Sequence, residues 1–405
     1  MKRETVRLTI GERIAWYRRR RGLSQRVLAD LIGRTEDWLN KVENNRIQLD
    51  RLSVINVIAW ELDVTLGDLL AEPSLVEWSP ETPRKTVPAL RDALLTYRQL
   101  IPGRSTDREL QTPDVLLSRV SAVWDAYQAS RFGYMTASLS GLIEDLAYAV
   151  DQYEGQEKVR CQRLLALTYQ ASTAVLTKLS ETDLACVAAQ RGYDLAEQAE
   201  ERVVLASLTR SVCHALLSTG RYSDAVGLIS DAPRNLGGLT SDSSRAYVSV
   251  YGTMYLTGAM AAARADDRAV TREFLQQADT AAQRIGRDDN LMWTAFGPTN
   301  VAIHKVSTAM ELGNIQQALD LGPRVDPTPL PTERQVRHHL EVARAHSAVS
   351  DRDAALGLIL EAEQSAPEQV RHHSLSRDLV LTWMRRAKGA LGDDLTGLAS
   401  RLNVA

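Results

Sequence analysis

The window that most restricts how this 405-residue chain can fold is residues 24–42, where small, apolar and hydroxyl residues fall at the spacing of two short helices joined by a tight turn. Leu28, Ala29 and Ile32 share one helical face, Gly33 interrupts, and Leu39 and Val42 resume on a second helix, because positions three and four apart lie on one side. Ala29 is small where two helices cross closely. Gly33 stands where the turn needs a backbone able to reach positive φ, which a residue with a Cβ adopts only at a cost. Ser24 and Thr35 supply side-chain oxygens at the two helix starts, and Thr35 can cap the N–H groups of the second. Carried outward, the periodicity gives five short helices over residues 9–71. A plain three-helix core is the alternative.

Charge sharpens the reading. Through Arg51 the chain carries 13 Lys or Arg against 7 Asp or Glu, a local +6, so with a total of -3 the remainder sums to -9. A basic head on an acidic body suits contact with phosphate, since counterions are released only where Lys and Arg gather. The densest part is Arg18-Arg19-Arg20-Arg21, which also suits the negative end of a helix dipole as a merely solvated helix end.

Ile10, Gly11, Arg13, Ile14 and Arg18, then Gly22-Leu23-Ser24-Gln25, Leu28-Ala29, Gly33 and Val42-Glu43 resemble the λ-repressor/Cro-like (XRE) helix-turn-helix regulators over about 60 residues. The resemblance implies a buried ion pair between Arg18 and Glu43, a phosphate contact from Gln25, and a groove-facing side formed by Glu36, Asp37, Asn40 and Lys41. Arg19 and Arg20 become phosphate candidates, and Arg34, Thr35 and Arg46 complete the set expected at DNA. Two features depart from the family. The second helix opens with two acids, which repel phosphate but accept from cytosine N4. Arg34 replaces an aliphatic residue, so its methylene stem is expected to cover the core edge.

Pro73, Pro80, Pro83 and Pro88 cannot continue a helix, so residues 73–88 read as a linker between a head at 1–72 and a body at 89–405. Helix returns over residues 89–101, and a polar loop follows Pro102-Gly103. From about Val115 nothing reads as a strand. Apolar residues at three- and four-residue spacing give antiparallel helix pairs. A loose repeat runs through Ser130/Phe132/Met135/Leu139, Gly220/Tyr222/Ala225/Ile229, Gly313/Ile315/Ala318 and Ser350/Ala355/Ile359, with weaker copies at Ser180/Ala185/Ala189 and Ala265/Val270/Phe274. These residues resemble the tetratricopeptide repeat at a longer, irregular period. The fold expected is all-α: a five-helix Cro/C1-type helix-turn-helix domain followed by an α-solenoid of tetratricopeptide-like pairs. An irregular helical bundle is the alternative for the body.

The repeat resemblance implies a concave groove suited to an extended guest. Its first helices would present Gln170, Lys178, Arg210, His214, Tyr255, Asn300, Arg337 and Arg344, each equally readable as a surface or packing residue. Four cations among the eight point to an anionic or carboxylate-bearing peptide or small molecule.

No catalytic constellation stands out. The seven histidines all lie beyond residue 213, and neither His338-His339 nor His372-His373 has a carboxylate or cysteine at ligand spacing, so neither metal nor other cofactor is expected. Cys161, Cys186 and Cys213 read as free, mostly buried thiols. No run of about 18 apolar residues occurs and the N-terminus lacks an apolar signal core, so the expected location is cytoplasmic, at the nucleoid. The expectation is a non-enzymatic, ligand-responsive transcription regulator, a homodimer on double-stranded operator DNA. The alternative is a protein-interaction scaffold with a DNA-tethering head.

Overall fold

The computed structural model describes residues 8–64, 66–70, 86–95, 109–199, 201–387, 392–402 and 404. Among them every regular element is helical, apart from one isolated antiparallel bridge between Asp289 and Phe296. The chain divides into two compact units, one of Met1–Pro73, Ala262–Thr271 and Ala302–Ala405, the other of Ser74–Ala261 and Arg272–Val301. The division differs from a head, linker and body read in sequence order, because the first unit joins both ends of the chain. Pro73, Pro80 and Pro83 of the expected linker lie outside the described residues, as does Pro102-Gly103. Pro88 sits in the first turn of a helix, where its missing N–H costs nothing.

In the first unit the head consists of α1 (Ile10–Arg20), α2 (Gln25–Leu31), α3 (Glu36–Glu43), α4 (Leu52–Leu62) and α5 (Leu66–Leu70). Helix α1 starts with a capping box: Thr9 Oγ1 accepts from Glu12 N–H while the Glu12 carboxylate accepts from Thr9 N–H. Ser24 and Thr35 cap α2 and α3 through Val27 N–H and Trp38 N–H. The head's core gathers Ile10, Ile14, Leu28, Ala29, Leu39, Val42, Ile55, Ile58 and Leu62, and it takes in Leu375 from the far end of the sequence.

The second unit runs through α6 (Thr86–Leu95), α7 (Pro113–Gln128), α8 (Phe132–Gln152), α9 (Gly155–Lys178), α10 (Thr182–Gln198), α11 (Arg202–Ser218) and α12 (Tyr222–Leu236). It also holds most of α13 (Arg245–Arg264) and of α14 (Arg268–Ile285), and the start of α15 (Pro298–Glu311). Its core is built from α6 to α11: α7 to α11 each pack on their sequence neighbours, while α6 packs on α8 and α10. The rest of the first unit contains α16 (Ile315–Leu321), α17 (Thr332–Ala348), α18 (Arg352–Ser365), α19 (Pro367–His372), α20 (Ser374–Arg386) and α21 (Asp393–Arg401).

One local device recurs along the body. Ser130, Ser180, Gly220, Asp266, Gly313 and Ser350 all stand at positive φ, between 58° and 76°, and each separates the two helices of a pair. At the first, Ser130 N–H donates to Tyr127 O and Arg131 N–H donates to Ala126 O, and the same two bonds close the other five turns. These are Schellman endings, which satisfy carbonyls at the helix C-terminus while turning the chain back. Five of the six turn residues are the repeat positions read from the sequence, and the sixth is Asp266 rather than Ala265. The apolar residues following them are buried: Phe132, Met135, Leu139, Ala225, Ile229, Ala318, Ala355 and Ile359. The body is therefore an all-α succession of helix pairs, as the repeated pattern predicts.

Candidate nucleic-acid interface

Helices α2 and α3 are joined at Gly33, whose φ is +65°, and Gly33 N–H and Arg34 N–H close α2 by bonding Asp30 O and Ala29 O. Glycine meets a second requirement where α1 crosses α3: a Cβ on Gly11 would stand 2.1 Å from Val42 O. The first helix is thus pressed onto the backbone of the third.

The structure brings Arg18, Glu43, Gln25 and Asn40 together. Arg18 Nε and Nη2 donate to the two Glu43 oxygens at 2.6 and 2.7 Å, and both residues are buried. The bond to Glu43 holds the Arg18 guanidinium above its ordinary pKa. Gln25 Nε2 donates to Glu43 Oε2 at 2.7 Å, and Gln25 Oε1 accepts from Asn40 Nδ2 at 3.2 Å. The amide expected at phosphate therefore also ties α2 to α3. One side of Gln25 and Asn40 stays accessible, both being half-buried.

The outward side of α3 carries Thr35, Glu36 and Asp37, all exposed, with exposed Arg34 before it and exposed Arg46 after it. Lys41 Nζ pairs with Asp37 Oδ2 at 2.7 Å, so the one lysine of α3 is screened by an acid of the same helix. The Arg34 guanidinium lies over the Trp38 ring, 5.5 Å from the centroid, where the quadrupole of the indole attracts it. Exposed Arg20 lies likewise over Trp16 at 5.1 Å, and Arg19 is exposed beside it. Four arginines accompany an outward face whose centre is acidic or self-paired.

The residues expected to line a ligand groove differ in burial and in partners. They fall in both units, Gln170, Lys178, Arg210, His214, Tyr255 and Asn300 in one and Arg337 and Arg344 in the other. Gln170 is buried and donates to Ser207 O and Oγ, and Asn300, also buried, donates to Ala295 O at 2.9 Å. Buried Tyr255 packs against Tyr251 and Phe274, and burial raises its phenol's pKa. Arg210 is buried too, while Lys178, His214 and Arg337 are half-buried, His214 Nε2 lying 3.3 Å from Thr257 Oγ1 and Arg337 3.8 Å from Glu341. Arg344 corrects the expectation most directly. At 2 % exposure it pairs with Glu341 at 2.6 Å and Glu311 at 3.8 Å, and its Nη2 donates to Asp50 O at 2.5 Å, so its charge is spent inside the protein.

Sequence reasoning missed the Thr9–Glu12 capping box, which the pattern Thr-x-x-Glu could have shown. It also missed the contacts that hold the head from behind, for which no local signal exists. Ile10 N–H donates to Asp378 Oδ1 at 2.8 Å, and Arg13 stands 3.9 Å from the same carboxylate. Burial pushes Asp378 up and Arg13 down, the latter to about 10, because each charge has left water.

Among the described residues no group of His, Cys, Asp and Glu is placed to hold a metal ion, and no helix is long and apolar enough to cross a membrane. No curated protein matches the chain. Residues 9–72 match the family model described as a helix-turn-helix domain, and with this geometry the head is a helix-turn-helix DNA-binding domain.

Proposed function

We propose that the chain is a sequence-specific, non-enzymatic transcription regulator of the XRE type, with α3 as the helix that reads the major groove. The observation that carries this reading is the exposed side of α3, framed by Arg19, Arg20, Arg34 and Arg46, on a head whose buried side is fully packed. Arg19 and Arg20 contact phosphate. Gln25, Thr35, Asn40 and Arg46 position the helix, and Glu36, Asp37 and Lys41 meet base edges. One head covers a half-site, so the active species on a symmetric operator is a homodimer. The helix pairs of the body are of tetratricopeptide type and receive a peptide or small-molecule signal.

The test is a salt series with promoter-region and random duplex. A regulator shows a steep fall of affinity with salt and a specific complex that survives competitor DNA. Absence of both, together with capture of a protein partner by the body, would replace this reading with an interaction scaffold.

A further inference from the structure

The segment that leaves the recognition helix, residues 44–51, is gripped from behind by the C-terminal helices of its own unit. Its first turn is held by Arg386 of α20, whose Nε donates to Asn45 O. Its middle is held by α17, where Ser347 Oγ bonds Gln48 Oε1 at 2.9 Å and receives a bond from Trp383 Nε1 of α20 at 3.1 Å. At its end Arg344 donates to Asp50 O, while Arg51 Nε donates to Glu311 O at 2.8 Å and its Nη2 reaches Asp266 at 3.1 Å.

These bonds are not loose surface contacts. Arg344 is buried, and its position is fixed by Glu341 and Glu311, so releasing Asp50 O would leave part of a buried charge without its partner. A second hold acts at the start of α1, where Asp378 of α20 accepts from Ile10 N–H, a group that no helical carbonyl can satisfy. The grip and the reading face do not compete, since Arg34, Glu36, Asp37 and Arg46 remain exposed with the grip closed.

We propose that α17 and α20 set the placement of the recognition helix through residues 44–51, which act as the transmission element between the body and the DNA-reading face. A shift of either helix by an ångström or two is enough to break these bonds, whose length tolerance is narrower than that. Control of DNA affinity thus passes through α17 and α20. The inference rests on the DNA-reading function proposed above.

Hydrogen exchange and DNA binding of the full-length chain test it. Arg51→Met and Gln48→Ala remove head-side bonds at half-buried positions, Asp378→Ala removes the hold on α1, and Arg401→Ala, which breaks only the pair with Glu363, is the control. The three grip variants are expected to exchange about tenfold faster over 10–20 or 36–51, with 164–176 unchanged, and to bind operator more weakly than the control. Because coupling is reciprocal, operator added to the unaltered chain is expected to slow exchange over 332–348 and 374–386. Unchanged head exchange in Arg51→Met and Gln48→Ala, or no effect of operator on α17 and α20, overturns the proposal. If Asp378→Ala also loosens 164–176 it reports misfolding, and the other two variants decide. A chain that binds no duplex removes the proposed function, while exchange without DNA still reads the grip.

Discussion

Glu43→Ala is expected to cost the head about 3–5 kcal/mol, the usual penalty for breaking a buried ion pair from one side. Glu43 accepts three bonds, two from Arg18 and one from Gln25, at 2.6 to 2.7 Å. Once the carboxylate is gone, Arg18 keeps its 2.8 Å bond to Leu23 O but faces a buried space with the rest of its charge unmatched. Bonds to charged groups contribute about 1.5–3 kcal/mol each, yet they share one desolvation penalty, so the total stays below their sum. A chain of two units does not unfold in one step, and amide exchange in α3 is therefore the suitable measure. At tenfold per 1.4 kcal/mol, protection there falls by roughly two to three and a half orders of magnitude. The double variant Arg18→Met/Glu43→Met removes both charges at similar volume and is expected to recover most of the loss. A change of less than about tenfold in Glu43→Ala, or a double variant as damaged as the single, would show that the pair carries no buried charge and refute the reasoning.

Asp37→Asn frees Lys41 from its partner, so affinity for random duplex should rise and the salt slope steepen by about one contact, as read by titration at several salt concentrations. Gly11→Ala forces a Cβ against Val42 O and should destabilise the head at or beyond the upper end of the about 1–3 kcal/mol typical of overpacking, visible as faster exchange in α1 and α3. His372 is held down at about 4 by burial and then by Arg377 and Arg371. The unfolded chain binds that proton near the ordinary value and the folded chain only near 4, so stability should fall by about 3 kcal/mol as pH drops through this window. Exchange over 367–386 at pH 7 and pH 4.5 measures it, and His372→Gln should flatten the dependence.

The parts of the structure legible in the sequence are those fixed by local sterics. Gly33, Gly220 and Gly313 announce turns because positive φ favours residues without a Cβ, and Ser130, Ser180 and Ser350 were readable from the apolar positions that follow them. At 265–266 the pattern missed by one residue, since Ala and Asp are both small and only the backbone distinguishes which one turns. The groove residues were less legible for a different reason. Periodicity tells which residues share a helix face but not whether the face is open, and Gln170, Asn300 and Arg344 are all buried. For Arg34 the reach of the stem was legible, but not the seat of its cation, which is the Trp38 ring one turn on.

The contacts between the head and α17 and α20 lie beyond any local pattern, and they change what the head is. Leu375 belongs to the head's core, and Asp378 satisfies the first helix's N-terminus across 368 positions of sequence. Such closures cost loop entropy that grows only slowly with length, so the separation itself is no obstacle. It does set an order. The ribosome delivers residues 9–70 before residues 374–386, so until the latter have emerged the head lacks one side of its core and one of its caps. α20, with α17, also grips residues 44–51. Under the proposed DNA-reading function, a head completed by α20 reaches its reading geometry only once α20 has packed against it, which makes that helix a condition of the reading and not an appendage to it.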